Sequence, residues 1–274
     1  MSFKDLIKDR VFIVSLSIVV GLALYTVIYP AYFTKVDPTK WYTYPQGIPP
    51  CPQFPFGTTL TGQNLADLVP VALRNSLTIG LTTALTSTAI AIAISALATL
   101  IRRLSTAVMT FIDVMCTIPP LPILIILIFT WREYIAIPTI GLILSITGWA
   151  WPSRALTSIL SSLRERMFVF TAYLCGLPLY KIVAKEFMPF LMRYIFVHFI
   201  NLTLWGIGME TTISLFGAMK METPTIGTTL YWALRYQAFI LGLWWWYLIP
   251  TLFLIAFLVS LYTINMKVDE YLMT

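Results

Sequence analysis

Charge is scarce in this chain. Lys, Arg, Asp and Glu make up 11% of its 274 residues, where a soluble domain carries about 25%. Hydrophobic residues reach 58% and mean hydropathy is +0.83. A compact water-soluble fold of this size cannot hide that much apolar surface, so a soluble class is excluded and a polytopic membrane protein is implied. Histidine occurs once, as His198. A single imidazole in an apolar run makes neither a triad nor a metal site, so it reads as packed or lipid-facing. The cysteines, Cys51, Cys116 and Cys175, are far apart with no disulfide or metal spacing and read as free. A Gly-rich phosphate loop ending in Lys-Ser/Thr is missing, so the chain does not itself hydrolyse ATP. The net charge of +6 is then a topology signal and not a nucleic-acid one.

What is present is a series of membrane-length apolar runs. Residues 11–29 are uncharged and long enough to cross a bilayer. They exceed the ~7–15 residues of a signal peptide's apolar region and end in an aromatic interface of Tyr25, Tyr29 and Tyr32. Residues 31–73 read as a polar, Pro-rich extracellular loop whose prolines forbid helix through 45–55. Further spans are expected at 75–101, 107–130, 135–157, about 190–218 and 238–264. With the amino terminus inside, cytoplasmic segments hold twelve of the eighteen Lys and Arg residues. That bias predicts both termini inside, an even number of spans, and thus six transmembrane helices in an all-α fold. The Trp244–Tyr247 cluster reads as an interfacial belt.

Two acids lie inside apolar spans, Asp113 and Glu210. An intramembrane acid costs about 2–3 kcal/mol unless paired or wetted. Either can line a pathway or pin a gate; for Asp113 a structural pair with an Arg is the competing reading. Glu210, near the outer end of its span, suits an outer gate or a contact with an external protein. Pro119, Pro120 and Pro122 remove backbone donors mid-span, which a neighbouring helix or a water-lined cavity wall can accommodate.

Residues 163–189 are the longest segment between spans on the cytoplasmic side. Leu163, Arg166, Met167, Phe170 and Leu174 recur at spacings of three and four, predicting a short amphipathic helix. Gly176 suits its end and Pro178 the first turn of the next. The second piece carries Lys181, Lys185 and Glu186 and closes at Pro189. The segment reads as a helix–Gly–helix hook lying at the membrane surface.

This hook resembles the coupling loop of ABC-transporter permeases. That motif runs Glu-Ala-Ala, three residues, Gly, nine residues, an apolar pair and Pro; here it reads Phe170-Thr171-Ala172, Gly176, Phe187-Met188-Pro189. Leu163-Arg164-Glu165-Arg166 is similar to the Leu-Lys-Glu-Arg that precedes it in dipeptide/oligopeptide-type permeases. The motif's acid is Phe170 here, so any ion pair from it to an ATPase is absent. More likenesses follow in the family's order. Phe56-Gly57-Thr58 to Gly62-Gln63-Asn64 resembles the signature after the first helix of the second permease subunit, with its charges replaced. Ile112-Asp113 to Ile118-Pro119, Trp149 to Arg154, Glu210 to Gly217, Thr223-Pro224-Thr225-Ile226-Gly227, and Asn265 with Asp269 continue the series.

The resemblance implies a type I importer permease of the second-subunit type. Residues 1–30 would form the cytoplasmic start and first helix, 31–73 the extracellular loop, and 74–274 the permease core with its coupling loop at 163–189. Arg164, Glu165, Phe170, Thr171, Ala172, Gly176, Leu177 and Pro178 would meet the ATPase. Asp113, Pro119, Pro120 and Glu210 are candidates for pathway or gate. Implied partners are a second homologous permease, two cytosolic ABC ATPases carrying ATP and Mg, an extracellular substrate-binding protein and the lipid of the cell membrane. No cofactor, metal or nucleic acid is expected on this chain, and no enzyme activity. Cargo would be a di- or oligopeptide, or an oligosaccharide. An ion-coupled secondary transporter would need an inverted repeat, which is not seen. A membrane enzyme or scaffold would need intramembrane clusters of His, Asp or Glu.

Overall fold

The computed structural model describes residues 9–34, 36–101, 103–176, 181 and 187–273. Among these residues it holds ten helices and no named strand. They are α1 (Arg10–Tyr32), α2 (Leu65–Leu100), α3 (Ser105–Thr117), α4 (Pro120–Trp131), α5 (Ile137–Gly148), α6 (Ala150–Arg164), α7 (Met167–Leu174), α8 (Met188–Leu215), α9 (Ile226–Arg235) and α10 (Trp244–Met273). Four of them, α1, α2, α8 and α10, are long and apolar enough to cross a membrane unaided. The pair α3 and α4 qualifies as a fifth crossing if taken together, although bent by 78°. The remaining expected span falls on α5 and α6, which are separated only at Trp149.

Helix α2 is the axis of the bundle. It packs on α1, α5, α6 and α8 along its length. The contacts are close because glycine stands at the crossings, the way helices associate when lipid offers no hydrophobic drive between them. A Cβ on Gly141 of α5 would sit 2.6 Å from Thr82 Oγ1, and one on Gly80 2.6 Å from Ile207 of α8. Gly206 of α8 lies over Thr83, and Gly148 over Ser87 and Trp205. Ile79, Leu124, Ile128, Ile140, Leu144 and Ile213 form the core that joins α2, α4, α5 and α8.

Several boundaries differ from the sequence reading, each for a local reason. Helix α2 starts at Leu65, inside the stretch read as loop: Asn64 caps it by accepting from the Ala66 N–H, and Pro70 is taken up near its start. The third span is a sharp bend and not a mild kink. Ile118 and Pro119 are extended and Pro120 opens α4 at a position where a missing N–H costs nothing. The fourth span continues to Arg164, seven residues past its expected end at 157. The last helix begins at Trp244 instead of 238, and the Trp cluster is not a uniform belt. Trp244 is exposed, whereas Trp245 and Trp246 are buried in the outer core.

The segment 36–64, read from the sequence as a loop, folds over that core. Gly57 and Gly62 take left-handed backbone, φ +74° and +70°, and pass against Trp245 and Tyr42 with no room for a Cβ. Thr58 Oγ1 donates to Pro45 O (2.7 Å) and accepts from Ile48 N (2.8 Å); Trp245 Nε1 donates to Thr58 O (3.0 Å). At the opposite end the first and last helices meet. Asp9 caps α1 through the Val11 N–H (2.8 Å) and pairs with Lys267 of α10 at 3.1 Å. The Lys267 ammonium and the capped N–H groups hold the Asp9 carboxyl below the usual range.

Overpacking a helix crossing costs about 1–3 kcal/mol. Gly141→Leu should therefore lower the melting temperature and folded yield in detergent. Gly208→Leu, on the open face of α8 with nothing near its Cβ, should leave both unchanged; equal losses in the two variants would contradict this packing.

Candidate functional site

The segment 163–189 is rooted in the core at both of its described ends. Leu163 and Val169 on one side and Phe187 and Leu191 on the other join a buried cluster with Leu156, Leu160 and Ala91 of α2. The chain breaks at Glu165 and Arg166, so the first helical piece is α7, Met167–Leu174, and does not begin at Leu163. Val169 is buried in the root, while Met167 and Leu174, of the apolar-edged stripe, are exposed. Thr171 is also exposed, and with Met167 and Leu174 it forms one outward face at spacings of four and three. Ala172 packs inward against the root. Gly176 follows at φ +77° with open space about it, the left-handed residue that ends a helix. Leu177 and Pro178 lie outside the described residues, as does the side chain of Phe170.

Arg164 is the last residue of α6 and its Nη1 donates to Thr99 O, at the inner end of α2, over 2.9 Å. Glu165 beside it is exposed. The hook thus presents a short outward face of Met167, Thr171 and Leu174, with mixed charge at Glu165 and Arg166.

Glu210 lies in the outer half of α8 and is fully buried. Its carboxylate is met by hydroxyls from three helices or their caps. Ser76 Oγ of α2 donates to Oε2 (2.9 Å); Ser214 Oγ (2.9 Å) and Thr225 Oγ1 (2.5 Å) donate to Oε1. Such hydrogen bonds are what permits a buried carboxylate. Thr225 also caps α9, accepting from Thr228 N (3.0 Å), while Thr228 Oγ1 accepts from Thr225 N (2.8 Å). Ile226 N, the first N–H of α9, donates to Ser76 Oγ (3.1 Å). Asn75 Nδ2 reaches Pro224 O at 2.7 Å. Gly227 passes so close that a Cβ would meet Glu210 Oε1 at 2.8 Å. The acid therefore faces the amino terminus of α9, where the helix dipole favours negative charge.

Asp113 of α3 is paired with Arg154 of α6 at 3.2 Å. Beside it Phe111 stacks on Trp149, centroids 5.7 Å apart. Pro119 and Pro120 form the bend that turns α4 onto the core it shares with α2, α5 and α8. His198 contacts Trp151 edge to face at 5.1 Å. No group of three or more His, Cys, Asp or Glu able to hold a metal occurs among the described residues.

Residues 89–270 match the family described as binding-protein-dependent transport system inner membrane component. The chain belongs to this family. It is 26% identical over 235 residues to the oligopeptide transport system permease protein AmiD of Streptococcus pneumoniae, covering 82% of this chain and 74% of that protein. It is 24% identical over 211 residues to the dipeptide transport system permease protein DppC of Bacillus subtilis, covering 72% of this chain and 65% of that protein. The second-subunit likeness and the all-helical, multi-pass architecture accord with these matches. The matched region takes in the segment 163–189 and, of the Glu210 node, Glu210, Ser214 and Thr225, while Asn75 and Ser76 precede it. Ser76, Asn75 and Thr203 lie on helices rich in hydroxyls, and nothing in the spacing marks Ser76 as the partner of Glu210.

Replacing Glu210 by Leu strips three hydroxyls of their acceptor. It should destabilise the chain by about 2–4 kcal/mol, read as a fall in melting temperature, with Glu210→Gln losing less. An unchanged melting temperature in Glu210→Leu would contradict the node.

Proposed function

We propose that this chain is one permease subunit of an ATP-driven importer and forms half of a translocation pathway for di- or oligopeptides. The observation that carries the reading is the outward face of Met167, Thr171 and Leu174, closed by the left-handed Gly176, inside the matched family region. The peptide cargo rests on the names of the two relatives.

In this reading six spans cross the cell membrane and both termini lie in the cytoplasm, where Asp9 and Lys267 meet. A second, homologous permease completes the pathway. Two ABC ATPases, which carry ATP and Mg, dock on the hook and its counterpart, and an extracellular binding protein delivers cargo to the outer face. This chain's residues bind and transmit; they break no bond. The docking surface is more apolar than the usual acid-bearing loop, because Phe170 stands at the acid's position while Met167 and Leu174 face outward. Closure of the ATPases pushes the hook, and its root of Leu163, Val169, Phe187 and Leu191 carries the push into α6, α8 and α2. Asp113 and the bend at Pro119 and Pro120 act on the pathway by setting the pose of α3 and α4, and Glu210 by holding α9.

A charge on the outward face tests this. Leu174→Glu and Met167→Glu should each reduce co-purification of the ATPase subunits roughly 10-fold or more, while Lys40→Glu in the outer loop should not. Full retention of the ATPases in both hook variants would overturn the docking face.

A further inference from the structure

Helix α2 is a single unbroken helix of 36 residues, about 54 Å long. It is tied to other segments at two levels, in its last turn and in its first third. At the inner end the Thr99 carbonyl, in the last turn, accepts from Arg164 at 2.9 Å. Carbonyls there lack a helical partner and carry the negative end of the dipole, so a guanidinium is a strong ligand. Arg164 is also the residue through which α6 passes into the hook. In the first third of the helix Ser76 bonds in two directions, donating to Glu210 and accepting from the first N–H of α9. Asn75 beside it holds Pro224 O. An axial shift or rotation of α2 must therefore carry the start of α9 with it or break these bonds. Between the ends, Gly80, Gly141, Gly148 and Gly206 keep the neighbours in near-backbone contact.

We propose that α2 is the rod that conveys movement of the hook to the outer helix α9, with Arg164 and Ser76 as its positioning residues. The proposal rests on the importer reading above. Thr99 and Ser76 stand about 35 Å apart along the helix, a span over which packed elements do carry coupling. Arg164 thus acts on α2 and is not itself the ATPase contact.

The test uses the complete complex, with both permeases and both ATPases, in lipid nanodiscs. In a background where Cys51, Cys116 and Cys175 are replaced by Ser, the exposed Leu234 of α9 is changed to Cys. Its rate of labelling by a membrane-impermeant maleimide is measured with Mg-ATP plus vanadate and without nucleotide. The parent complex should show a nucleotide-dependent change in rate. Arg164→Met and Ser76→Ala should each shrink that change roughly 3- to 30-fold, with ATPase subunits still bound, and Arg164→Lys should restore part of it. The double variant should be no worse than the more affected single one, because both residues serve one rod. A nucleotide response that survives intact in either single variant overturns the rod, as does additive loss. Loss of ATPase binding in Arg164→Met makes Arg164 a docking contact and also overturns it. A parent complex that neither holds ATPases nor responds to nucleotide overturns the importer reading itself, and the rod with it.

Discussion

Two helices must approach α2 to within backbone contact, and the rest of the structure follows from that constraint. In a bilayer the hydrophobic effect does not push helices together; packing density and cross-helix hydrogen bonds do. Gly141 of α5, Gly206 of α8 and Gly80 of α2 itself remove the side chains that would hold the helices apart. Once α8 lies this close, the Ser76 hydroxyl reaches Glu210. Once α5 is seated, α6 runs on to bring Arg164 beside Thr99.

The buried carboxylate is the second consequence. Glu210 is tolerated because hydroxyls of α2, α8 and the cap of α9 converge on it and the amino end of α9 points toward it. Two signature segments read separately in the sequence, Glu210 to Gly217 and Thr223 to Gly227, are thereby parts of one node. The retained glycines of the signature at 56–64 are structural in the same sense: Gly57 and Gly62 let the chain turn against Trp245 and Tyr42. Loss of that signature's charges leaves this scaffold intact.

Much of this was legible before any coordinates. Hydropathy located the long spans, because α1, α2, α8 and α10 are apolar over membrane length. The helix end before Gly176 was legible from that glycine. What was hidden depended on tertiary context. Leu65 to Leu73 read as loop because Pro70 and a polar flank mask a helix start that Asn64 caps. Three prolines told of a break after Thr117 but not that it would reach 78°. The break at Glu165 and Arg166 was hidden too, with Val169 buried and Met167 exposed beyond it. The Trp cluster reads as a belt by composition, and only the folded segment 36–64 shows why Trp245 is buried under Thr58. Ser76 could not be singled out on a helix crowded with Ser and Thr.

Native Cys175 sits exposed at the end of α7 and gives the most direct measurement of the central claim. A thiol-linked photo-crosslinker is placed on Cys175 of the intact complex, with Cys51 and Cys116 changed to Ser, and the adduct is identified by mass spectrometry. The account predicts an adduct joining this chain to an ABC ATPase subunit. An adduct only to lipid, or to no protein at all, would contradict it.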